Sequence, residues 1–214
     1  MIKEQFFQDL KDKVKPYFEL GGSHSFDHVD RVYNLALKIA KGQDVDLDIL
    51  KSAVLLHDVS RLKEDNGEVE DHSEHGAEVA KEILKEMKFP EDKIEKVCYA
   101  IKVHRHSKGI KAETKEAQIL QDADRLDALG AITIGRMFST GGKIGRPLYN
   151  PEIPFGEVHP GYYSESTLHG FYAKILKITP ETFNTEKAKK IAIKRYSFVK
   201  KFLKQFQLEW EGRA

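Results

Sequence analysis

The chain has 214 residues and a formal net charge of +1, which suits one large domain or two small ones. No long block of one charge sign stands out, which argues against a polynucleotide-binding protein. The single cysteine, Cys98, excludes an intramolecular disulfide and is typical of a reducing cytoplasm. The sequence shows no signal-peptide pattern and no apolar run as long as a membrane span. We therefore expect a cytoplasmic protein with neither nucleic acid nor membrane as a partner.

The N-terminal third predicts two amphipathic helices. Residues 4–20 form the first, and the second begins near residue 26. His28 precedes Val32 by four residues and therefore lies on the apolar stripe of the second helix. Arg31, beside that stripe, is a candidate for binding a substrate anion.

A third helix is predicted over residues 47–58. Ala53 and His57 continue its apolar stripe, and Asp58 lies on the adjoining face. Buried titratable side chains need a partner, because an unpaired buried charge is costly. A divalent metal ion and a simple His–Asp hydrogen bond are both adequate partners. The second inward histidine, His28, favours the metal ion.

The next two helices carry further histidines. In the helix predicted over residues 73–87, His75 precedes the apolar Val79 by four residues, and His72 lies one turn earlier. For His72 and His75, a role in a metal or substrate site and a purely structural position at the start of the helix are equally open. In the following helix, His104 shares the inward stripe, and Cys98 is assigned to the core rather than to catalysis.

A second informative stretch covers residues 119–129. Asp124 and Asp127 share one face with Leu120, and carboxylates on a buried face are rarely there for packing. Asp122 is offset by two residues and turned away around the helix, so Asp124 is the candidate metal ligand. Asp127 is a candidate either for proton transfer or for orienting a ligand histidine.

Residues 139–163 contain several glycines and prolines and little periodicity, which predicts a lid-like loop. Two helices follow, over residues 164–178 and 184–207. No segment of useful length alternates with a strand period. We therefore expect an all-α protein: one helical-bundle domain over residues 1–214 with its metal-binding core at about 24–135.

The spaced set of His28, His57-Asp58 and Asp124 resembles the HD superfamily of metal-dependent phosphohydrolases, whose name comes from the adjacent His-Asp. The stretches CYAIKVHRHS, QDADRLDALGAITIGRMF and PFGEVHPGYYSESTLHGFYAKILKI resemble its small stand-alone YedJ-like group over nearly the whole chain. The resemblance implies an all-helical HD domain. It also implies one divalent ion (Mn, Mg, Fe, Ni, Co or Zn) bound by those four side chains.

This resemblance further implies hydrolysis of phosphoester or phosphoanhydride bonds in a small phosphorylated metabolite, with nucleotides as the leading class. Phosphatase and pyrophosphohydrolase chemistry both remain open, as do monomer and homodimer. Some relatives bind two metal ions through additional histidines, for which His75 and His104 are candidates. The expected catalytic residues are Asp58, His104, Asp127 and Lys174, and the expected substrate contacts are Arg31, His75, Lys174 and Arg195.

Two other functions fit the same residues. One is a nucleotide or signal sensor that binds its ligand without turnover, and the other is a di-iron oxygenase. Arg61 is expected to pair with a surface carboxylate such as Glu64 rather than to bind substrate.

Overall fold

The structure is a computed structural model that describes residues 2–18, 25–156 and 165–214. All regular secondary structure in these ranges is helical, which confirms the all-α prediction. None of the helices there is both long and apolar enough to cross a membrane. The described ranges contain ten α-helices: α1 (Glu4–Val14), α2 (Phe26–Ala40), α3 (Leu47–Leu56), α4 (Arg61–Asp65), α5 (His72–Glu86), α6 (Glu91–Lys102), α7 (Lys115–Asp127), α8 (Ala131–Lys143), α9 (Thr167–Ala173) and α10 (Glu186–Trp210).

The chain divides into two compact units, residues 1–124 and 125–214. In the first unit, α1, α2, α5 and α6 all pack against α3. Every residue of α3 after Leu47 is buried, as expected for a helix at the centre of a core. The α3 N-terminus is capped by the Asp46 carboxylate, which accepts hydrogen bonds from the backbone N–H groups of Asp48 and Ile49.

Two helices of this unit end earlier than the sequence predicts. The first stops at Val14 and passes into a 3₁₀ turn, Lys15–Tyr17, that contains the proline. Helix α3 stops at Leu56, so His57 and Asp58 lie in the turn that follows it. His57 keeps helical backbone angles, with φ −58° and ψ −36°. For this reason the periodic pattern placed its side chain correctly.

The second unit contains α8, α9 and α10. Its core includes the aromatic rings Phe138, Phe171, Phe202 and Phe206, whose centroids lie 6.0–6.2 Å apart in the contacting pairs. Helix α9 is shorter than the predicted helix 164–178, and a 3₁₀ turn, Ile175–Lys177, follows it.

The predicted loop over residues 139–163 is wrong at its start, because α8 continues to Lys143. Residues 144–156 form turns and irregular structure. The remaining part, 157–163, lies outside the described residues, as does residue 24 at the edge of the expected metal-binding core. The lid role of the loop stays a prediction, as does the single domain over 1–214.

Candidate metal centre

Six side chains from five parts of the first unit come together around a single buried carboxylate. His28 comes from the first turn of α2, and His57 and Asp58 from the turn after α3. The others are His72 at the start of α5, His104 just after α6, and Asp124 on α7. The side chains of the four histidines and Asp58 are each at most 9% exposed, whereas the Asp124 side chain is 29% exposed. Asp124 therefore lies at the open side of the cluster.

The first of two adjoining clusters consists of His28, His57 and Asp58, whose ligand atoms lie within 4.8 Å of one another. The Nε2 atoms of His28 and His57 are 3.4 Å apart. Each is 3.7 Å from Asp58 Oδ2. Asp124 Oδ1 lies 3.3 Å from His28 Nε2 and brings a second carboxylate to this cluster.

The second cluster consists of His72, His104 and Asp58. Asp58 Oδ1 is 3.2 Å from His72 Nε2 and 3.6 Å from His104 Nε2. The two Nε2 atoms are 3.3 Å apart. The Asp58 carboxylate therefore offers one oxygen to each cluster and joins them.

The hydrogen bonds on the far side of the rings fix which nitrogen carries the proton. His57 Nδ1 donates to the Val54 carbonyl oxygen at 2.7 Å, and His104 Nδ1 donates to that of Ile101 at 2.6 Å. His72 Nδ1 donates to the Glu64 carboxylate. In a neutral ring the proton on Nδ1 leaves Nε2 with a lone pair.

In the centre, the Nε2 lone pairs therefore face one another, which is unfavourable without a cation between them. Imidazole nitrogens combined with carboxylate oxygens form a donor set that suits ions such as Mn, Fe and Zn. The residues present thus fit the divalent metal ion that the sequence predicts.

The electrostatics of Asp58, Asp124 and His57 favour the protonation states that bind a metal ion, whereas for His104 burial lowers the pKa but the hydrogen bond with Asp58 and the negative charges of Asp58 and Asp124 raise it. Burial raises the pKa of Asp58, but His57, His104 and His72 outweigh it and hold the pKa well below its usual value. Burial also raises the pKa of Asp124, but the hydrogen bond with His28 and the charges of His28 and His57 together hold it below its usual value. Burial lowers the pKa of His57 and keeps that ring neutral. Both carboxylates are therefore ionised at neutral pH.

A third group of acidic side chains, Glu64 and Asp71, lies behind His72. Burial raises the pKa of Glu64, but hydrogen bonds from His72 and the charge of Arg105 lower it to about 2. Arg105 Nη1 lies 3.0 Å from Glu64 and 3.5 Å from Asp71, and Lys108 pairs with Asp71. Cationic side chains already neutralise these carboxylates, so the group serves as an ion-pair network rather than as a metal site.

The structure brings together five of the predicted site residues: His28, His57, Asp58, His104 and Asp124. The histidine of α5 that joins them is His72, whereas His75 Nδ1 lies 2.8 Å from Ser60 Oγ. Sequence periodicity placed both histidines inward. Asp71 caps this helix, and its side chain accepts a hydrogen bond from the backbone N–H of Ser73. An aspartate at this position is the sequence signal that could have placed the start of the helix at His72. The substrate-binding role of His75 stays a prediction.

Other predicted residues have partners within the second unit. Asp127 is 1% exposed and its Oδ2 lies 2.9 Å from Arg136 Nη1, an ion pair that sequence reasoning missed. Arg195 Nη1 donates to the Leu126 carbonyl oxygen at 2.6 Å. Lys174 is exposed where α9 ends. The expected roles of these residues in substrate binding or catalysis stay predictions.

Two further cationic residues belong to the first unit. Arg31 on α2 is partly exposed, and its expected contact with substrate stays a prediction. Arg61 pairs with a carboxylate, as expected, but with Asp65 at 2.9 Å. Arg61 Nε is buried and has no hydrogen-bond partner within the described part of the chain.

The chain is similar to a known protein family and to several solved structures. The HD domain family model matches residues 25–129, which contain all six side chains of the cluster. A solved structure of an HD-superfamily hydrolase from Bacillus thuringiensis is 31% identical, with a TM-score of 0.77, and the similarity covers 98% of this chain and 99% of that one. The chain therefore belongs to the HD superfamily of hydrolases.

Two more relatives are similar over most of their length. A predicted HD superfamily hydrolase from an uncultured Thermotogales bacterium is 33% identical, with a TM-score of 0.67, over 95% of this chain and 92% of that one. The protein YpgQ of Bacillus subtilis is 29% identical over 202 residues, which cover 88% of this chain and 85% of YpgQ. A YpgQ structure solved in complex with ADP shares the fold, with a TM-score of 0.73 at 23% identity over 96% of this chain and 95% of that one.

Proposed function

We propose that the protein is a metal-dependent phosphohydrolase that acts on a small phosphorylated metabolite, with nucleotides as the leading class. The observation that carries the proposal is the pair of buried histidine clusters joined by Asp58, in a chain of the HD superfamily of hydrolases. Buried imidazoles and carboxylates without a bound cation would be a costly arrangement for a purely structural core.

His28, His57, Asp58 and Asp124 would bind one divalent ion, and His72, His104 and Asp58 would bind a second. When bound, such ions lower the pKa of a water molecule and neutralise charge on the phosphoryl group. The rings of His57, His72 and His104 are held by their Nδ1 hydrogen bonds, so their Nε2 atoms are oriented before any ligand arrives.

Proton transfer is constrained by the same hydrogen bonds. His104 Nδ1 is bonded to the Ile101 carbonyl oxygen, so Nε2 is the only ring nitrogen that can act either as a ligand or as a proton carrier. His104 therefore moves protons only in a state in which it does not bind metal. Asp127 is the other proposed proton carrier, and its Oδ2 lies 2.9 Å from Arg136 Nη1.

Phosphoryl transfer depends mainly on positioning and on electrostatic stabilisation, so cationic side chains are required. We assign this role to Arg31, Lys174 and Arg195. A few such cations suffice for a small anion, and the net charge of +1 does not suit a polynucleotide. The complex of YpgQ with ADP supports a nucleotide as the substrate class.

A nucleotide panel with separate detection of orthophosphate and pyrophosphate tests the proposal. Protein loaded with Mn²⁺ or Mg²⁺ should release one of these products. Pyrophosphate would indicate attack at the α-phosphorus of a triphosphate, and orthophosphate from a monophosphate would indicate a phosphatase. The variant Asp58→Ala should be inactive, whereas the exposed Asp92→Ala on α6 should match the wild type. Tight binding of a nucleotide without either product would favour the sensor function instead.

A di-iron oxygenase is the second candidate, and the sharing of Asp58 by two histidine pairs is the observation that favours it. An iron-rich, coloured preparation that releases no phosphate would support this function. Activity with colourless Mn²⁺- or Mg²⁺-loaded protein would exclude it as the main activity.

A further inference from the structure

Three histidine rings of the metal centre each donate a hydrogen bond from Nδ1, but to different kinds of acceptor. His57 and His104 donate to backbone carbonyl oxygens three residues earlier in the chain, at Val54 and Ile101. These acceptors are part of the helices themselves. His72 donates to a side chain, the carboxylate of Glu64. Its orientation therefore depends on a residue that can be substituted.

Glu64 is itself held firmly in place. Its Oε2 also accepts from the backbone N–H of His72 at 2.8 Å and from Arg105 Nη1 at 3.0 Å. Arg105 directly follows His104, the other ring of the second cluster. Glu64 thus contacts one histidine of that cluster and the neighbour of the other, and its side chain is only 19% exposed.

We propose that Glu64 is a positioning residue for the second metal ion: it keeps the His72 proton on Nδ1 and so leaves Nε2 free to bind the ion. This inference rests on the proposed two-ion centre. Without Glu64, the His72 proton has a better acceptor on the opposite side, because Asp58 Oδ1 lies 3.2 Å from His72 Nε2. A proton at that position would occupy both the nitrogen and the shared carboxylate oxygen.

The first cluster should be insensitive to this change. His57 keeps its backbone acceptor, and the contacts of Asp58 Oδ2 with His28 and His57 do not involve Glu64. Loss of a carboxylate that orients a metal-binding histidine typically reduces metal affinity by about 10–100-fold. Loss of Glu64 should therefore reduce the affinity for the second ion and leave the affinity for the first ion unchanged.

Metal titration of the metal-free protein tests the inference. Wild type titrated with Mn²⁺ should bind two ions per chain. Glu64→Ala should weaken the second ion by about 10–100-fold and leave the first unchanged, and Glu64→Gln, which keeps an acceptor oxygen, should have a smaller effect. The matched control is Glu74→Gln, since Glu74 is an exposed carboxylate on the same helix as His72 and pairs with Lys102 at 3.6 Å.

Nitrogen-15 NMR of the metal-free protein gives a readout that a merely structural role would not change. The His72 ring should be protonated on Nδ1 in the wild type and on Nε2 in Glu64→Ala. Unchanged binding of both ions, or equal weakening of both, would overturn the positioning role. A wild type that binds one ion per chain would overturn the inference too, while phosphate release by that protein would leave the proposed function intact.

Discussion

His72 and His75 lie three residues apart on α5 but have different neighbours. His72 contacts Asp58 and His104, whereas His75 contacts Ser60. We expect His72→Ala to lose one metal ion per chain and His75→Ala to keep the wild-type content. Elemental analysis of the purified variants, normalised to protein, measures this. Equal metal loss in both variants would contradict the two-cluster arrangement.

Asp122 and Asp124 offer a similar pair on α7. Asp124 Oδ1 lies 3.3 Å from His28 Nε2, and Asp122 is fully buried. We expect Asp124→Ala to weaken binding of the ion held by the first cluster, with Asp122→Ala leaving metal affinity near that of the wild type. Isothermal titration with Mn²⁺ compares the two variants. If both lose the same affinity, the assignment of Asp124 as a ligand is wrong.

At the level of single residues, helical periodicity was enough to predict the members of the first cluster. His28, His57 and Asp124 each continue an apolar stripe, and the structure places them together with Asp58. The second cluster could not be predicted in the same way. Which histidine of α5 meets His104 depends on how α5 and α6 pack, and a stripe that includes both His72 and His75 does not contain that information.

Among the helices, the close contact between α8 and α9 rests on Gly141. A Cβ atom at this position would lie 2.1 Å from Thr167 Oγ1, which is buried and has no hydrogen-bond partner among the described residues. We expect Gly141→Ala to lower the free energy of unfolding by about 1–3 kcal/mol through overpacking. Denaturant unfolding of the metal-free protein measures the change.

The neighbouring glycine provides the control. A Cβ at Gly142 would meet nothing within 4 Å, so Gly142→Ala should be neutral or slightly stabilising. In the double variant Gly141→Ala/Thr167→Ala, most of the lost stability should return, because the clashing hydroxyl is gone. Equal stability of the two glycine variants would contradict a tight contact at Gly141.

The contact between α3 and α6 includes an ion pair that responds to pH. Lys93 Nζ lies 2.7 Å from Asp48 and 2.9 Å from Asp46. Burial raises the pKa of each carboxyl group, but Lys93 and backbone N–H groups lower it below the usual 3.8. A carboxyl group whose pKa is lower in the folded than in the unfolded state stabilises the fold at pH values above its unfolded-state pKa. This stabilisation is lost as the pH falls from the unfolded-state pKa through the folded-state pKa.

We therefore expect Lys93→Gln to be less stable than the wild type at pH 7, with a difference that shrinks on acidification below pH 3.8, the usual aspartate pKa. Denaturant unfolding of the metal-free proteins over a pH series measures this difference. The exposed Lys96→Gln, on the same helix, should show little difference at any pH. A constant difference between wild type and Lys93→Gln down to pH 2 would contradict the assignment.

The helices themselves were largely predictable from apolar periodicity, and the errors lie where that pattern weakens. Residues 139–143 contain Gly141 and Gly142, which favour a loop prediction by propensity alone. The structure keeps them in α8, where the absence of a side chain at Gly141 permits the close contact with Thr167. Tertiary packing thus outweighs the local preference, and no local pattern reports it.

For the molecule as a whole, a metal ion would connect parts that are distant in sequence. The ligands come from α2, α5, α7 and the turns after α3 and α6. An ion that binds only the folded state should stabilise it by about 2.7 kcal/mol at a hundredfold excess over its dissociation constant. Thermal melts in chelator and then in Mn²⁺ should therefore differ, and identical melts of a verified metal-free sample would contradict a metal centre.

The sharing of Asp58 has a consequence for how the protein responds to metal supply. Two dications bound at the two clusters would share its single negative charge, so occupancy of one cluster would lower the affinity of the other, and the reduction would be reciprocal. Such negative cooperativity separates the two binding steps. The singly loaded form should then persist over a broad range of free-metal concentration, and a cell could hold the protein half-loaded by limiting one metal.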